Sequence, residues 1–373
     1  MDDPRRTQTE LPSRPRQDEA VWSIAKLGSD KPLIARSADT WGSEELRAAI
    51  GVLESGRYTI GKTTQKFEEA YAAYCGTRYC VAVNSGSSAN LLMVAAWTLR
   101  YGPGVVVVPA VGWSTSYSPF QQYGWNLVFV DIDRENLNYD LSALNSASVT
   151  YAPDVILAIN LLGNPNDFLN FPYQVPILED NCESMGADYA GKKTGSFGVM
   201  ASHSTYFSHH ICTIEGGMIT TDDEYFYHML LSLRSHGWTR HLPDDNKLSV
   251  LPEKFSFILP GYNVRPTELQ CAIGIEQLKK LPQFIEQRRE NARRFPCRTQ
   301  SEIGTSSWFG FAVFEEDRAR FSQYETRPIV TGNFLRQPVI SYYDYMVHGR
   351  MDNADYIHDN GIMIGNSHER IQW

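Results

Sequence analysis

Residues 79–99 read YCVAVNSGSSANLLMVAAWTL, and this stretch decides the expected fold. A continuous apolar run is followed by a turn of small residues and then by a second, longer apolar run. An apolar run without alternation is typical of a strand in a parallel sheet that helices cover on both faces. The stretch therefore predicts a strand, a tight turn and a buried helix that begins at Ser88 or Ala89.

Four further short apolar runs follow, separated by stretches of helical or loop character. They are VVVVPA (105–110), NLVFVDID (126–133), VILAINLLG (155–163) and VPILEDN (175–181). Strands that alternate with helices predict an α/β fold with a mainly parallel sheet between helices. Ligands of such sheets bind at the carboxyl ends of the strands, and each of these runs ends in small or polar residues. We therefore expect a binding site along that edge of the sheet.

The chain has 373 residues, which is long enough for two domains. The first 20 residues contain no apolar core and are therefore not expected to be a secretory signal. We expect residues 1–30 to form a disordered N-terminal tail. Residues 31–282 are expected to form a large α/β domain. The pattern then changes to a charged helix and short strands at SSWFGFAVF (306–314) and YETRPIV (324–330). Residues 283–373 are therefore expected to form a small α+β domain.

The composition excludes several classes of protein. The formal net charge of -9 argues against nucleic acid as a partner, because phosphate backbones require a basic surface. No apolar run reaches the roughly 18–20 residues of a membrane span. The six cysteines are scattered without a CxxC pair, so neither a zinc site nor a disulfide framework is predicted. A reducing cytoplasm is the expected location.

The turn NSGSSANLL (84–92) is a candidate anion site. The first amides of a helix lack partners within the helix and lie at the positive end of its dipole, so they favour a phosphate. The same turn is also compatible with an ordinary connection between a strand and a helix. The sequence alone leaves both interpretations open.

Two more strand ends carry residues suited to a planar ring. Glu179 and Asp180 end the run at 175–181, and a carboxylate there could keep a pyridinium nitrogen protonated, which makes the ring an electron sink. It could equally cap a helix. Trp113 follows the run at 105–110 and could stack on a ring or pack in the core.

The stretch SHSTYFSHHICTIEGGMITT (202–221) contains three histidines, His203, His209 and His210. No carboxylate lies at a helical metal-ligand spacing from them and no third ligand is evident, so no metal site is expected. Adjacent side chains point to different faces, so at most one of His209 and His210 is expected to take part in chemistry.

A later polar pair precedes a predicted helix. Asn263 and Arg265 lie just before Pro266, where we expect the helix to begin. These groups could reach an anion across a subunit interface or lie in a solvated loop.

The order of these features resembles that of the DegT/DnrJ/EryC1/StrS family, from about Ile34 to Asn366. The resemblance is carried by NLLGNPN, LEDNCESMGA, FSHH, EGG, HGWTR, LPGYNVRP, SSWFGF and RPIVTGNF, all in the family's order. It implies the type I aspartate aminotransferase fold of enzymes that depend on pyridoxal 5'-phosphate (PLP). It also implies that the large domain binds PLP or pyridoxamine 5'-phosphate (PMP).

The resemblance also assigns roles to residues and implies a homodimer with shared active sites. The phosphate would be held by Gly86, Ser87 and Ser204, helped by Asn263 from the partner subunit. Trp113 and Glu183 would lie on opposite faces of the ring, and Asp180 would keep its nitrogen protonated. Candidates for substrate binding are His236, Arg240 and Arg265.

The family resemblance also explains a missing lysine. In the aminotransferases of the family, a lysine stands five residues after the phosphate-binding serine, and the same count from Ser204 reaches His209. A lysine would bond to the cofactor and promote return of the amino group. A histidine at this position defines the sugar 3-dehydratase branch, where it can still move protons. The resemblance therefore implies that His209 and Asp180 are catalytic.

Within that branch, the resemblance implies removal of the 3-hydroxyl of GDP-4-keto-6-deoxy-D-mannose. L-Glutamate would regenerate PMP, and ammonia would be released. The product would be GDP-4-keto-3,6-dideoxy-D-mannose, a precursor in colitose and O-antigen biosynthesis.

Three alternative functions are also compatible with parts of the sequence. A nucleotide-sugar aminotransferase would need a displaced lysine, and Lys192 and Lys193 are the nearest in sequence. A non-catalytic PLP-binding regulatory protein would also lack the lysine. An iron–sulfur-dependent 3-dehydrase needs clustered cysteines late in the chain, whereas only Cys271 and Cys297 follow Cys212.

Overall fold

The structure is a computed structural model that describes residues 40–248, 250, 255–324 and 326–373. The predicted tail over residues 1–30 lies outside the described residues. The helices and strands within the described part are, in chain order, α1 (Ser43–Ser55), α2 (Lys62–Cys75), β1 (Tyr79–Val83), α3 (Gly86–Tyr101), β2 (Val105–Pro109), α4 (Ser114–Gln122), β3 (Asn126–Val130), α5 (Leu141–Tyr151), β4 (Val155–Ile159), β5 (Ile177–Asp180), β6 (Asp188–Tyr189), β7 (Lys192–Lys193), β8 (Met200–Ser204), β9 (Gly217–Thr221), α6 (Glu224–Leu233), α7 (Glu268–Arg293), β10 (Gly310–Phe314), β11 (Tyr345–Val347), α8 (Asp352–Asn360) and β12 (Gly361–Gly365).

The central sheet has the strand order β1-β9-β8-β5-β4-β2-β3-β11. Its pairs are parallel except where β9 runs antiparallel to its neighbours β1 and β8. The register pairs Ile159 of β4 with Asp180 of β5, and Asp180 with Ser202 of β8. The predicted α/β fold with a mainly parallel sheet is therefore confirmed, and the ends of these strands lie side by side.

Strands β2 and β4 are apolar throughout because helices cover both faces of the sheet. Along β2, Val106 and Val108 pack in the cluster that contains α3 and α4, whereas Val107 packs in the cluster that contains α5. All three valines are fully buried. Side chains of a strand alternate between faces, so a strand buried on both sides needs an unbroken apolar run.

The turn after β1 differs in detail from the prediction. Helix α3 begins at Gly86 rather than at Ser88 or Ala89, because Ser85 is its N-cap and accepts a hydrogen bond from the backbone N–H of Ser88 at 3.1 Å. A β-carbon added to Gly217 would lie 2.3 Å from the carbonyl carbon of Ser85. The start of β9 can therefore approach the turn closely only as glycine.

The C-terminal part also differs from the prediction. Helix α7 begins after Thr267, whose side chain caps it, and not at Pro266. It continues through Pro282 to Arg293, so the charged segment is the second half of α7. The boundary predicted between residues 282 and 283 falls within α7, and the division into domains stays a prediction.

Only part of the expected C-terminal sheet forms. Strand β10 lies within the predicted run at 306–314 and pairs antiparallel with β12. The prediction of a strand at 324–330 is wrong. Among the described residues of this segment, the only sheet-type contact is a single β-bridge between Arg327 and Met363. Strand β11 instead joins the edge of the central sheet, parallel to β3.

Across the described ranges, no helix combines the length and the apolar character that spanning a bilayer requires.

Glu268 is the first residue of α7, and its carboxylate connects that helix to the start of α2 by hydrogen bonds. It accepts hydrogen bonds from the backbone N–H groups of Gly61, Thr63 and Thr64 at 2.8–2.9 Å and from the Thr64 hydroxyl at 2.6 Å. Burial raises the pKa of Glu268, but the hydrogen bonds from Thr64 and Thr63 outweigh it, so the pKa lies below its ordinary value. A lowered pKa stabilises the fold above the unfolded-state pKa, and this contribution is lost as the pH falls through the folded-state pKa.

We expect Glu268→Gln to lower the free energy of unfolding by about 1–3 kcal/mol at neutral pH, because the charge-assisted hydrogen bonds weaken. Urea unfolding monitored by circular dichroism measures this change. Glu276→Gln on the same helix removes only a surface ion pair with Lys279 and should change the stability by less than about 0.5 kcal/mol. As the pH falls, the difference in the free energy of unfolding between Glu268→Gln and the native chain should become smaller. Equal stability of the two at neutral pH would contradict this account.

Candidate active site

A cavity of about 440 Å³ opens at the carboxyl edge of the central sheet. Its walls come from the turn after β1, the loop after β2, the ends of β4 and β5, and the loop between β8 and β9. Phe309, Arg327 and Val330 close it from the C-terminal part of the chain. This is the edge at which the sequence predicted a binding site.

The cavity brings together seven of the residues predicted from the sequence. The lining includes Gly86, Ser87, Trp113, Asp180, Glu183, Ser204 and His209. These residues are spread over positions 86 to 209 of the sequence, and the parallel sheet brings them to one cavity.

The turn at Gly86 has the form of an anion cradle. A β-carbon at Gly86 would lie 2.8 Å from Cβ of Ser204 and 2.9 Å from Sγ of Cys182, so only glycine leaves the space open. The N-terminus of α3 lies at this point and provides amide donors and a positive dipole end. The hydroxyl of Ser87 is hydrogen bonded to that of Thr115 at 2.7 Å. The donor set and the space suit a phosphate group.

The carboxylate of Asp180 is held by three donors. The Ser116 hydroxyl donates to Oδ2 at 2.6 Å, and the Asn90 amide donates to the same oxygen at 2.8 Å. The backbone N–H of Cys182 donates to Oδ1 at 3.1 Å. Asp180 is 5% exposed and lines the cavity, so it presents a fixed carboxylate to a ligand.

The two residues expected beside a ring reach the cavity from different loops. Trp113 precedes α4 and is 51% exposed, which leaves its ring available for stacking. Glu183 lies beyond the end of β5, and its Oε2 accepts a hydrogen bond from the backbone N–H of Leu162 at 3.0 Å. Both line the same cavity as Asp180.

His209 lies in the loop that connects β8 and β9. Backbone hydrogen bonds close this loop, including one from Phe207 N–H to the Ile214 carbonyl at 3.0 Å. The His209 ring contacts the rings of Tyr206 and Phe309, with centroid distances of 5.8 and 5.2 Å. These aromatic contacts fix the orientation of the imidazole at the cavity wall.

The other two histidines of the stretch lie elsewhere. His210 is 1% exposed and is absent from the cavity lining, and its Nε2 donates to the Ser307 carbonyl at 3.2 Å. Burial, assisted by the charge of Arg288, lowers the pKa of His210 well below its ordinary value. Burial lowers the pKa of His203 to about 3. Both stay neutral, which leaves His209 as the histidine at the cavity.

Four predicted residues do not line the cavity of their own chain. Asn263 is exposed and forms a β-bridge with Ser235. A guanidinium nitrogen of Arg265 lies 2.9 Å from Nε2 of His236, and Arg240 lies 6.0 Å from the ring centroid of Trp238. The resemblance places Asn263 in the active site of a partner subunit, and the roles of all four remain predictions.

The lining also includes residues that the sequence reasoning missed. They are Asn90, Ser116, Cys182, Glu215, Phe309 and Arg327, among others. A signal existed for Asn90, because it is a polar residue four positions after Gly86 and directly before the apolar run of α3 at residues 91–97. Ser116 and Arg327 carry no comparable signal in a single sequence.

No lysine occurs among the described residues that line the cavity. The ammonium group of Lys193 lies 4.9 Å from the ring centroid of Tyr74, and that of Lys192 lies 5.5 Å from the ring centroid of Phe197. Neither is placed to bond to a ligand in the cavity. Within the described ranges, no group of three or more His, Cys, Asp or Glu residues is placed to hold a metal ion.

The cavity therefore fits PLP or PMP. The glycine cradle at the start of α3 suits the phosphate, and the held carboxylate of Asp180 suits a ring nitrogen that carries a proton. Trp113 offers a stacking surface, and His209 offers a proton acceptor. These four features match the four parts of the cofactor that a protein has to address: its phosphate, its ring nitrogen, its ring face and its reactive carbon.

Comparisons with known proteins agree with this chemistry. The model of the DegT/DnrJ/EryC1/StrS aminotransferase family matches residues 39–304. GDP-4-keto-6-deoxy-D-mannose 3-dehydratase of Yersinia pseudotuberculosis is 47% identical over an alignment of 366 residues, and the comparison covers 88% of this chain and 93% of the relative.

Two crystal structures of GDP-4-keto-6-deoxymannose-3-dehydratase show the same fold. One holds a trapped PLP-glutamate geminal diamine, and the other is a mutant with bound GDP-perosamine. Each has a TM-score of 0.86 and 45% identity, and each comparison covers 91% of this chain and 97% of the solved chain. The chain belongs to the DegT/DnrJ/EryC1/StrS aminotransferase family and has its PLP-dependent aminotransferase fold.

Proposed function

We propose that this chain is a PLP- and PMP-dependent dehydratase that removes the 3-hydroxyl of GDP-4-keto-6-deoxy-D-mannose. The observation that carries the proposal is that His209, rather than a lysine, lies at the cavity together with Asp180. The similarity to enzymes of that name, at 45–47% identity over most of the chain, supports the choice of substrate.

Different residues of the chain contribute to different parts of the proposed reaction. When bound, PMP would supply an amine for the sugar's 4-keto group and an acidic methylene carbon beside a ring that acts as an electron sink. His209 removes a proton from that carbon, because an imidazole near neutrality can accept and return protons. Asp180 binds the ring N–H and keeps the nitrogen protonated.

The remaining site residues hold the cofactor in place. Gly86, Ser87 and Ser204 would bind the phosphate, and Trp113 and Glu183 would hold the ring between them. The absence of a lysine from the described lining matters because no side-chain amine of that lining competes with the substrate for the cofactor. The cofactor amine therefore stays available to the keto-sugar.

Further parts of the proposal concern the cycle and its setting. L-Glutamate would transfer its amino group to regenerate PMP and leave as 2-oxoglutarate. The 3-hydroxyl would leave as water, and hydrolysis would release ammonia and GDP-4-keto-3,6-dideoxy-D-mannose. We place the reaction in the cytoplasm, in colitose and O-antigen biosynthesis. Arg327 is a cation in the cavity lining, which suits a site whose two substrates, a GDP-sugar and glutamate, are both anionic.

The reaction is tested by incubating the chain with GDP-4-keto-6-deoxymannose, PLP and L-glutamate. The proposal predicts a 3-deoxy sugar and ammonia, identified by mass spectrometry and an ammonia assay. A stable amino sugar without ammonia would overturn it in favour of a nucleotide-sugar aminotransferase. A chain that binds PLP but transforms neither substrate would favour a regulatory protein.

Replacing the proposed base should remove activity without removing the cofactor. We expect His209→Asn to lower kcat by about 10²–10⁴-fold, the usual contribution of a general acid–base group. Bound PMP should remain visible by its absorbance. The neighbouring variant His210→Asn is the matched control, and its effect on kcat should be far smaller because His210 does not line the cavity. Equal losses in the two variants would assign His209 a structural role.

A lysine in place of His209 should form a covalent bond with the cofactor. In His209→Lys, the new amine should bond to PLP and shift its absorbance to longer wavelength, because the lysine now occupies the loop position that faces the cavity. Dehydration should be lost as the cofactor is sequestered. Full dehydratase activity in this variant would show that the missing lysine is incidental.

Shared active sites predict complementation between two variants. Asn263 lies outside the cavity of its own chain, so we propose that it serves the site of a partner subunit in a homodimer. His209→Asn and Asn263→Ala should each be impaired, yet a mixed dimer keeps one intact site and should show about half of native activity. Sedimentation velocity checks the dimer. A fully active monomer, or a mixed dimer without recovery, would contradict shared sites.

A further inference from the structure

The carboxylate of Asp180 is bound from two helices that also carry other parts of the cavity. Asn90 lies in α3, one turn after the glycine of the anion cradle, and Ser116 lies in α4, three residues after Trp113. Both donate to Oδ2 of Asp180, at 2.8 and 2.6 Å. The contacts therefore tie the ring-nitrogen position to the phosphate and stacking positions.

Water cannot readily replace these two donors. Asn90 is 4% exposed, Ser116 is 1% exposed and Asp180 is 5% exposed. A buried polar group that loses its hydrogen bond is costly, and the cost is larger when its partner is charged. The side chains around Asn90 in α3, including Ala89 and Leu92, are buried and apolar, so packing alone does not require an amide there.

We infer that Asn90 and Ser116 are positioning residues that hold the Asp180 carboxylate as an acceptor for the cofactor's ring N–H, and so keep the shared proton on the ring nitrogen. This inference rests on the proposed function, in which Asp180 binds that nitrogen. A ring nitrogen and a carboxylate can hold their proton on either partner. Hydrogen-bond donors stabilise the anionic carboxylate more than the neutral acid, so two buried donors favour the proton on nitrogen.

The same contacts fix the direction of the carboxylate. With Oδ2 bound by Asn90 and Ser116, and Oδ1 bound by the backbone N–H of Cys182 at 3.1 Å, the group cannot turn away from the cavity without losing a donor. Positioning of this kind acts on the reaction through Asp180 and requires no contact with the sugar.

The test uses PLP labelled with ¹⁵N at the ring nitrogen and bound to the folded chain without a sugar. The ¹⁵N chemical shift distinguishes a protonated from a neutral ring nitrogen. We expect the native chain to give the protonated signal, and Ser116→Ala and Asn90→Leu to move it toward the neutral value. Ser116→Thr, which keeps a hydroxyl, should restore it. The control Ser118→Ala, which removes a hydroxyl from α4 that bonds Tyr343 and Ser114, should leave it unchanged.

Turnover provides a second measurement. Ser116→Ala and Asn90→Leu should each lower kcat by about tenfold with little change in the KM for the GDP-sugar, because one hydrogen bond to a charged group is lost. In an Asp180→Asn background, Ser116→Ala should have almost no further effect, since the anion that it stabilises is gone. Circular dichroism confirms that each variant is folded.

Three results would overturn the inference. They are a protonated signal in both Ser116→Ala and Asn90→Leu, a full additive loss when Ser116→Ala is combined with Asp180→Asn, and an unchanged signal in Asp180→Asn itself. The expected ¹⁵N shifts without any dehydration of the GDP-sugar would instead overturn the proposed function and leave the positioning roles intact.

Discussion

The parallel alignment of β1, β2, β4, β5 and β8 is the constraint on which the cavity depends. Because these strands run in one direction, their carboxyl ends meet at one edge and deliver Gly86, Trp113, Asp180 and Ser204 to a single space. The register of β4, β5 and β8 sets Asp180 beside Ile159 and Ser202. Each of these strands is held in the sheet by side chains buried on both faces, so the position of the site follows from the packing of the core.

Within that frame, close approach of the backbone shapes the site as much as the side chains do. A β-carbon at Gly217 would collide with the backbone of Ser85, and one at Gly86 would collide with Ser204 and Cys182. The loop between β8 and β9 can therefore pass near the phosphate turn, and it presents His209 to the cavity while His210 turns into the protein. Two adjacent residues of one type thus have different environments, one at the cavity and one buried and neutral.

The sequence predicted the features that depend on continuous patterns. Apolar runs located β1 to β5, and the order of short motifs indicated the family that the comparisons confirm. The first residues of α3 and α7 were predicted less accurately. Helix α3 begins directly after its serine cap, and α7 begins directly after its threonine cap. The run at 324–330 is apolar in part, yet tertiary packing gives its described residues one bridge rather than a strand. Ser116 was missed because its hydrogen bond to Asp180 joins residues that are 64 positions apart in the sequence and leaves no periodic signal.

A cavity that lacks a lysine in its described lining, but keeps the carboxylate, the glycine cradle and the stacking aromatic, is suited to a cofactor held without a covalent bond to the protein. Borohydride reduction of the native chain with one equivalent of PLP, followed by intact-mass spectrometry after denaturation, tests this claim most directly. An aminotransferase of the family serves as the positive control. The account predicts that the mass of the native chain stays unchanged, because none of the described residues that line the cavity is a lysine. A mass increase of one reduced phosphopyridoxyl group, mapped to a lysine of this chain, would contradict it.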